Sequence, residues 1–269
     1  IYIIGNYDLF KKQLNILGYK TKIVKLDNID DKIDYKKLNI INIDLNFKNP
    51  FNVPKKTAAH FVKKTLDFSH NLSKRKLIQG FINCPISKSI LPNNNGVTEY
   101  LASKCNIKNN SEVMLIKSQK LSVVPITTHI NIDQITKKLN FKLIKNKIYT
   151  LNSWLKKYYK RNPKIAMLGL NPHNAELKKN SQEIKIIKPT IINLKKKGIN
   201  IDGPFVADTI FIKNYQNYDV IVGMYHDQVL APLKALFKFK AINITLGLKY
   251  LRASPDHGVA FDLIKKSKA

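Results

Sequence analysis

Acidic residues and cysteines are both scarce in this 269-residue chain. The shortage of acids leaves a large positive charge, and the shortage of cysteines excludes proteins that depend on disulfides or cysteine-bound zinc. Only 18 residues are Asp or Glu against 47 Lys or Arg, which gives a formal net charge of +29. The two cysteines, Cys84 and Cys105, are too few for a disulfide framework or a cysteine-based structural zinc site. Long apolar runs are missing too, since none approaches the roughly 20 residues that a membrane-spanning helix needs. We therefore expect a cytoplasmic protein without a membrane partner.

The positive charge, taken alone, favours a polyanion partner such as nucleic acid. Nearly all of it is lysine, scattered along the chain in pairs and triplets, and no arginine-rich arm is present. Asn and Ile are abundant as well, and A/T-rich codons favour both together with Lys. We expect compositional drift rather than nucleic-acid binding, with a surface that attracts small phosphorylated molecules at low salt.

Short β-branched runs alternate with longer amphipathic runs, which is typical of an α/β protein with a largely parallel sheet. The adjacent strand-like runs 112–118 and 120–127 indicate a partly antiparallel second lobe, and Pro125 predicts that the later strand lies near an edge or an end. The other predicted strands are 1–4, 20–26, 76–83, 164–170, 198–201, 218–225 and 241–248, and the predicted helices are 7–17, 57–72, two within 131–160, 181–197 and 228–238.

Four of the six histidines come at or just after the end of an apolar run: His129, His173, His226 and His257. Because parallel strands share one carboxyl edge, residues at their ends converge there. Three imidazoles with an open position bind a divalent ion and leave room for substrate. Placement alone leaves two interpretations of His129, His173 and His226 open, a metal site and ordinary packing residues.

Groups suited to an anionic substrate accompany these histidines. Lys234 is the only charge in the apolar run VLAPLKALF, and Arg252 is one of only three arginines, which indicates a need for its planar fork. Thr98 stands at the start of a helix-like run, where it can cap the helix or contact a phosphate. An exposed position would explain Lys234 equally well, and a buried ion pair would explain Arg252 equally well. For Thr98, capping alone is the favoured explanation. No glycine-rich dinucleotide loop or P-loop is present.

Several segments occur in an order that resembles one enzyme family, the 4-hydroxythreonine-4-phosphate dehydrogenases. They are CPISK, GVTEYLA, TTH, LGLNPHNAE, DGPFVADTIF, GMYHDQVLAPLK and INITLGLKYLRASPDHGVAFDL, between about residues 77 and 264. The resemblance implies an α/β, two-lobed fold like that of isocitrate and isopropylmalate dehydrogenases, with a largely parallel sheet and a partly antiparallel second lobe. Residues 1–269 would form one catalytic unit of two interleaved lobes, truncated at both ends.

The resemblance also implies a chemistry and a site. The enzyme would oxidise 4-phosphooxy-L-threonine with NAD or NADP and one divalent ion (zinc, magnesium or cobalt), in pyridoxal phosphate biosynthesis, as a homodimer with the active site at its interface. The metal ligands would be His129, His173 and His226; the substrate contacts Thr98, Lys234, Asn243 and Arg252; the cofactor contacts His257 and Gly258; and the proton relay Asp227 or Lys234.

The chain departs from the family pattern at several places. Val97 stands where many members have His, which leaves open a paralogous dehydrogenase acting on another phosphorylated or dihydroxylated acid. The segment NAELKKNSQE replaces a glycine-rich run after NPH, and the family's N-terminal GDPxGIGPE segment and C-terminal helical tail are missing. The sequence also leaves open a basic nucleic-acid-binding protein and an inactive homologue, although the intact set of three histidines argues against an inactive homologue.

Overall fold

The computed structural model describes residues 1–87, 90–91, 96–107, 110–260 and 263. Lys88 of the CPISK segment and the end of the last family-like segment lie outside these residues. The chain divides into two compact units, each assembled from separate stretches. The small unit comprises 1–81, 86–97 and 259–269, and the large unit comprises 82–85 and 98–258.

The small unit contains a three-stranded parallel sheet in the order β1-β3-β2. Its elements are β1 (Tyr2–Gly5), α1 (Tyr7–Ile16), β2 (Ile23–Leu26), β3 (Leu38–Asn42) and α2 (Lys55–Lys74). The Asn6 side chain caps α1 by accepting a hydrogen bond from Leu9 N at 2.9 Å, and Gly18 after the helix has a φ of 75°. Strand β3 was not predicted, because its apolar run is short and has charged residues on both sides.

The large unit is built on a mixed sheet with the strand order β4-β11-β10-β5-β6-β9-β7-β8, in which β4 lies at the boundary between the units. The pairs β10–β11, β10–β5 and β5–β6 are antiparallel, whereas β6, β9, β7 and β8 are mutually parallel. The α/β class with a largely parallel sheet and an antiparallel region is thereby confirmed. The strands are β4 (Gly80–Ile82), β5 (Val113–Ser118), β6 (Ser122–Thr127), β7 (Ile165–Leu168), β8 (Ile201–Phe205), β9 (Val220–Tyr225), β10 (Ala241–Leu246) and β11 (Leu251–Pro255).

Helices cover both faces of this sheet. They are α3 (Val97–Lys104), α4 (Ile132–Lys138), α5 (Phe141–Tyr159), α6 (Lys188–Lys196), α7 (Ala207–Lys213) and α8 (His226–Phe237). Alternate residues of β7 point to opposite faces: Ile165 joins the core beneath α5 and α6, and Ala166 joins the core beneath α7 and α8. Burial on both faces explains why the strand is apolar throughout rather than alternating.

Pro125 corrects one prediction, because it lies in an inner strand rather than near an edge. It is buried in β6, between β5 and β9, and pairs with Gly223. The antiparallel register between β5 and β6 covers only Ser122 and Val123, so the missing N–H of Pro125 interrupts no bond of that ladder. Proline is thus tolerated where two strands have already separated.

Helix α5 is the longest helix of the large unit and lies on the lysine-rich run of the sequence. Its buried face carries Ile144, Ile148, Leu151 and Leu155, spaced by three or four residues, and its lysines lie mainly on the other face. Each such fully buried aliphatic side chain contributes about 1.5–3 kcal/mol. Across the described ranges, the structure contains no helix with both the length and the apolar character needed to cross a bilayer.

Candidate active site

Two of the predicted metal ligands meet at the ends of neighbouring parallel strands. Strands β6 and β9 end in register at Thr127 and Tyr225, so His129 follows one strand and His226 the other. The imidazole centroids are 5.7 Å apart, with the rings tilted by 42°. Thr127 Oγ1 donates to the carbonyl oxygen of Met224 at 2.7 Å and ties the two strand ends together. The two histidines are close enough to coordinate one ion.

A carboxylate lies against Nδ1 of each of these histidines. The Nδ1 of His129 is 3.2 Å from Glu99 Oε1, and that of His226 is 2.7 Å from Asp227 Oδ1. A proton held on Nδ1 leaves Nε2 with the free lone pair, which is the form that binds a metal. Both side chains are partly accessible, at 29% for His129 and 32% for His226. The pair therefore has the donor atoms and the access that a divalent ion requires.

His173, the third predicted ligand, does not join this pair within one chain. It lies on the loop after β7, where its Nε2 is 3.7 Å from Asp208 Oδ2, and its side chain is 73% exposed. In the described part of the chain, no three His, Cys, Asp or Glu side chains are grouped to hold a metal ion. The structure thus brings together two of the three predicted ligands, and the complete set stays a prediction.

The loop that carries His173 has an unusual backbone. Five consecutive residues, 173–177, have φ values between 48° and 56°, and none of them is glycine. The left-handed conformation costs a non-glycine residue about 1–2 kcal/mol. A strained segment persists only where its surroundings hold it, and such segments occur preferentially at functional sites. Hydrogen bonds just before the left-handed segment and from Asn174 within it hold this backbone in place.

A buried carboxylate anchors the start of the loop. Glu183 is fully buried, and its Oε1 accepts hydrogen bonds from Leu170 N and Asn171 N at 2.8 Å each. Burial opposes ionisation of Glu183, but the bonds from the backbone and side chain of Asn171 and the backbone of Leu170 lower its pKa below the ordinary value. Within the left-handed run, Asn174 Nδ2 donates to the carbonyl of Pro204 at 2.9 Å. The position of His173 is therefore set by buried hydrogen bonds.

Close packing requires glycine at one point beside the loop. A Cβ added to Gly169, directly after β7, would lie 2.0 Å from Asn174 Oδ1. The Gly169 carbonyl accepts from Gln228 Nε2 at 2.7 Å, while Gln228 Oε1 accepts from Met224 N at the same distance. Gln228 of the HDQ segment thus links the end of β7 to the end of β9.

Two predicted substrate contacts, Thr98 and Arg252, lie in one buried polar cluster. Arg252 donates from Nη1 to Thr245 Oγ1 at 3.0 Å and to Thr98 Oγ1 at 3.4 Å, and from Nε to Asn83 Oδ1 at 2.8 Å. The residue is only 2% exposed. Burial lowers the Arg252 pKa to about 10, against the opposing influence of Glu99 and Tyr250. Arg252 is therefore held rigidly, with its charge poorly solvated.

Asn243, the next predicted contact, has an unsatisfied polar atom. It lies on the same face of β10 as Thr245, two residues away, and so beside the Arg252 cluster. Its Oδ1 is buried and has no hydrogen-bond partner within the described part of the chain. A buried acceptor without a donor costs about 1–3 kcal/mol, so a donor from outside the chain is favoured there.

Lys234 pairs with an acid that was not predicted. Its Nζ is 3.1 Å from Asp256 Oδ2 and 3.0 Å from the Asp256 carbonyl oxygen, and it lies 4.9 Å from the Phe239 ring centroid. The Asp256 side chain is fully buried, and its Oδ1 has no hydrogen-bond partner in the described ranges of the chain. The predicted cofactor residues adjoin this pair. The imidazole of His257 packs edge to face against the Phe239 ring, with 6.1 Å between the ring centroids. Its Nδ1 lies 2.9 Å from the Gly258 carbonyl oxygen.

Sequence reasoning missed the acids that support these groups. Glu99, Glu183 and Asp256 each contact a candidate site residue or its loop, and each side chain is largely buried. With only 18 acidic residues in the chain, an acid inside a family-like segment was itself a signal, just as the scarce Arg252 was. Thr245 and Asn83 had no such signal, since isolated Thr and Asn are common.

Polar and ionisable side chains thus gather at the carboxyl ends of the parallel strands β6, β9 and β7, the usual position of the site in an open α/β enzyme. The chain belongs to the family of the pyridoxal phosphate biosynthetic protein PdxA, whose model matches residues 1–269. This confirms the family resemblance of the sequence segments.

Individual relatives agree with this assignment. The chain is 33% identical over 275 residues to 4-hydroxythreonine-4-phosphate dehydrogenase of Sulfurihydrogenibium sp., covering 99% of this chain and 83% of the relative. It is 38% identical over 176 residues to D-threonate 4-phosphate dehydrogenase of Pectobacterium atrosepticum, covering 65% and 53%. The crystal structure of 4-hydroxythreonine-4-phosphate dehydrogenase from Klebsiella pneumoniae matches with a TM-score of 0.85 at 28% identity, over 100% of this chain and 83% of that one.

Proposed function

We propose that this chain is a dehydrogenase of 4-phosphooxy-L-threonine, dependent on a divalent metal and on NAD or NADP, in pyridoxal 5'-phosphate biosynthesis. The C3 hydroxyl is oxidised to a ketone, giving 2-amino-3-oxo-4-phosphooxybutanoate, and this β-keto acid loses CO₂ to give 3-amino-2-oxopropyl phosphate. The observation that carries the proposal is the His129–His226 pair, with carboxylates on both Nδ1 atoms, at a strand edge that also presents the Arg252 cluster.

The residues present fit a divalent ion. His129 and His226 would hold it through Nε2, and imidazole donors suit zinc or cobalt better than magnesium. Such an ion supplies Lewis acidity that lowers the pKa of the substrate hydroxyl. A nicotinamide cofactor, when bound, would supply the acceptor for the hydride removed from C3. For its binding we propose His257 and Gly258, beside the ring of Phe239, which is 69% exposed.

We propose a homodimer in which His173 of a second copy completes the ligand set. The support is that His129 and His226 converge while His173 lies elsewhere on the large unit of the same chain. The backbone of the His173 loop is strained, yet buried hydrogen bonds hold it, as expected for a segment that presents a ligand outward.

The phosphate and carboxylate of the substrate need fixed cationic or polar partners. We assign these roles to Lys234 and Arg252, with Thr98 and Asn243 beside them. Arg252 is so deeply buried that only a substrate group entering its cluster would reach it. The unpaired Asn243 Oδ1 suits a donor such as the substrate ammonium or hydroxyl.

Two residues can move the protons. Asp227 is a carboxylate, 83% exposed, that also orients His226, so it suits acceptance of the hydroxyl proton. Lys234 can donate a proton to the carbon left after loss of CO₂, and Asp256 holds its ammonium in place. The sequence left the proton relay open between Asp227 and Lys234, and here each of the two residues has one proton transfer.

A second candidate is a dehydrogenase of D-threonate 4-phosphate, which carries a hydroxyl where 4-phosphooxy-L-threonine carries an amine. The relative from Pectobacterium atrosepticum has that name, and Val97 replaces the family's usual histidine next to Thr98. A relative from Oceanobacillus iheyensis with the name putative D-threonate 4-phosphate dehydrogenase also matches 98% of this chain, so coverage does not separate the two substrates. We favour the amino substrate because its name is the commoner one among the relatives that match almost the whole chain.

We infer a cytoplasmic location and a small-molecule substrate rather than a nucleic-acid or membrane partner. Among the described residues, Cys84 and Cys105 form no disulfide, and Cys84 is exposed, which suits a reducing compartment. The excess lysines lie along many elements rather than in one arginine-rich arm.

The direct test is NADH formation by the full-length protein with 4-phosphooxy-L-threonine and with D-threonate 4-phosphate, each with and without a chelator. Metal-dependent turnover of the amino substrate at a higher kcat/KM supports the proposal. A higher kcat/KM for the hydroxy acid would favour the second candidate. Full turnover after chelation and dialysis would overturn the metal dependence.

A further inference from the structure

Glu99 is a largely buried carboxylate that lies next to both groups of the candidate site, the His129–His226 pair and the Arg252 cluster. It is the third residue of α3, directly after Thr98, and its side chain is 28% exposed. Its Oε1 accepts from Thr128 Oγ1 at 3.1 Å and lies 3.2 Å from His129 Nδ1. Its Oε2 is buried and has no hydrogen-bond partner among the residues that the structure describes. Neither the sequence segments nor the reaction explains why an acid, scarce in this chain, occupies this position.

The contact with Nδ1 has a definite consequence for His129. An ionised carboxylate only accepts hydrogen bonds, so the proton of a neutral His129 is favoured on Nδ1 and the lone pair on Nε2. The same bond fixes the ring orientation and makes Nε2 a better donor to a metal. The His226–Asp227 contact is similar, but Asp227 is 83% exposed, and water weakens the influence of its charge.

Further contacts fix the position of Glu99. It lies in the first turn of α3, where the helix dipole favours negative charge. Thr128 supplies a hydroxyl donor to Glu99 Oε1, and Thr98, the residue before Glu99, accepts from Arg252 Nη1 at 3.4 Å. Glu99 therefore follows directly after a residue of the Arg252 cluster and itself contacts His129.

We propose that Glu99 is a positioning residue for metal binding, which selects the tautomer and orientation of His129 and couples them to the Arg252 cluster. This inference rests on the proposed metal-dependent function. It predicts that Glu99 acts on metal affinity even in the absence of substrate. Loss of such a supporting carboxylate typically weakens metal binding about 10–100-fold.

The test is cobalt(II) binding to the full-length protein, followed by titration calorimetry and by the visible absorption of bound cobalt. Glu99→Ala removes both the acceptor and the charge, so its dissociation constant should rise about 10–100-fold, with an altered spectrum. Glu99→Gln keeps an acceptor without charge, so its constant should lie between those of wild type and Glu99→Ala. If Glu99→Ala does not fold, the isosteric Glu99→Gln decides alone.

Glu112→Gln is the matched control. Glu112 is another partly buried acid of the large unit, paired with Lys147 rather than with a histidine. Its substitution should leave the cobalt constant at the wild-type value, even if the metal-free protein melts earlier. A merely structural role of Glu99 would lower the melting temperature of the metal-free protein without changing the cobalt constant or spectrum, which would overturn the inference.

The outcomes for the two proposals differ. Tight cobalt binding by wild type and equally tight binding by Glu99→Ala would reject the role of Glu99 and leave the proposed function intact. If the wild-type protein binds no cobalt, the proposed metal site is wrong and the role of Glu99 falls with it.

Discussion

At the scale of single residues, a rare residue type that is also buried indicated a candidate site residue. Arg252, one of three arginines, bonds to Thr98, Thr245 and Asn83 and is almost wholly buried. Its fork reaches several acceptors at once, which an ammonium cannot do from the same position. Arg252 therefore both stabilises the large unit and places a cation within the candidate site.

Arg252→Lys should lower the free energy of unfolding by about 2 kcal/mol, because hydrogen bonds from a buried charge are lost, and lower kcat/KM at least tenfold. Urea denaturation and the NADH assay measure the two effects. Arg75→Lys is the control, since Arg75 is exposed at the end of α2, and neither quantity should change. A wild-type kcat/KM for Arg252→Lys would reduce Arg252 to a structural residue.

The expected convergence of residues at strand ends is confirmed for two histidines. His129 and His226 converge because β6 and β9 are adjacent and in register, as apolar runs ending in histidine predicted. Glu99, Glu183 and Asp256 were not predicted, because the partners of a buried acid depend on long-range packing. The roles of all the predicted site residues, these two histidines included, stay predictions.

At the scale of elements, the His173 loop has the most distinctive conformation of the described chain segments. Its left-handed residues 173–177 continue a strand whose end is held by Glu183. Only Asn174 in this run is of a type that often adopts the left-handed conformation, so the local sequence gives no signal for the other four residues.

Ala175→Gly should stabilise the protein by about 0.5–1 kcal/mol, because relief of the left-handed strain exceeds the entropy that glycine adds to the unfolded chain. Ala235→Gly is the matched control in ordinary right-handed helix, on the exposed face of α8, and should destabilise by about 1 kcal/mol. Melting temperatures measured by calorimetry should move in opposite directions. A fall for both variants would mean that residue 175 is not left-handed.

Glu183 provides a pH-dependent test of the loop anchor. Its folded-state pKa is depressed, so its contribution to stability is complete above the ordinary carboxyl pKa of 4.5 and is lost as pH falls through the folded value. The difference in unfolding free energy between wild type and Glu183→Gln should be constant from about pH 5 to 8 and narrow below about pH 4. Glu176→Gln, an exposed acid of the same loop, should show little difference at any pH. A difference that widens in acid would contradict the anchor.

Element boundaries were predicted unevenly, for physical reasons. The long apolar strands and amphipathic helices of the large unit matched closely, for example the predicted strand 218–225 and β9 at 220–225. Strands β3 and β11 were missed because short edge-like runs with charged neighbours resemble loops. Pro125 was misplaced because the separation of β5 from β6 is a tertiary feature.

At the scale of the whole molecule, the proposed site needs two copies of the chain. His173→Ala and His226→Ala should each be inactive alone. In co-expressed mixtures, half of the dimers pair one variant with the other, and one of the two sites in each such dimer retains every ligand. Activity should therefore return to about a quarter of wild type. Its absence in purified mixed dimers would show that all three histidines serve one chain.

The net charge of +29 is also a property of the whole molecule. Its role in the proposed function is limited to the attraction of anionic substrates at low salt. It says nothing about the metal, on which the proposed chemistry depends. The central claim is that the histidine pair at the ends of β6 and β9 supports metal-dependent oxidation.

The most direct measurement compares His226→Ala with His60→Ala in the cobalt-supplemented NADH assay with 4-phosphooxy-L-threonine. His60 is an exposed residue of α2 and serves as the control. We predict that His226→Ala abolishes metal-dependent NADH formation, while His60→Ala keeps the wild-type rate. Wild-type NADH formation by His226→Ala, or undiminished formation by the wild-type protein stripped of metal, would contradict the central claim.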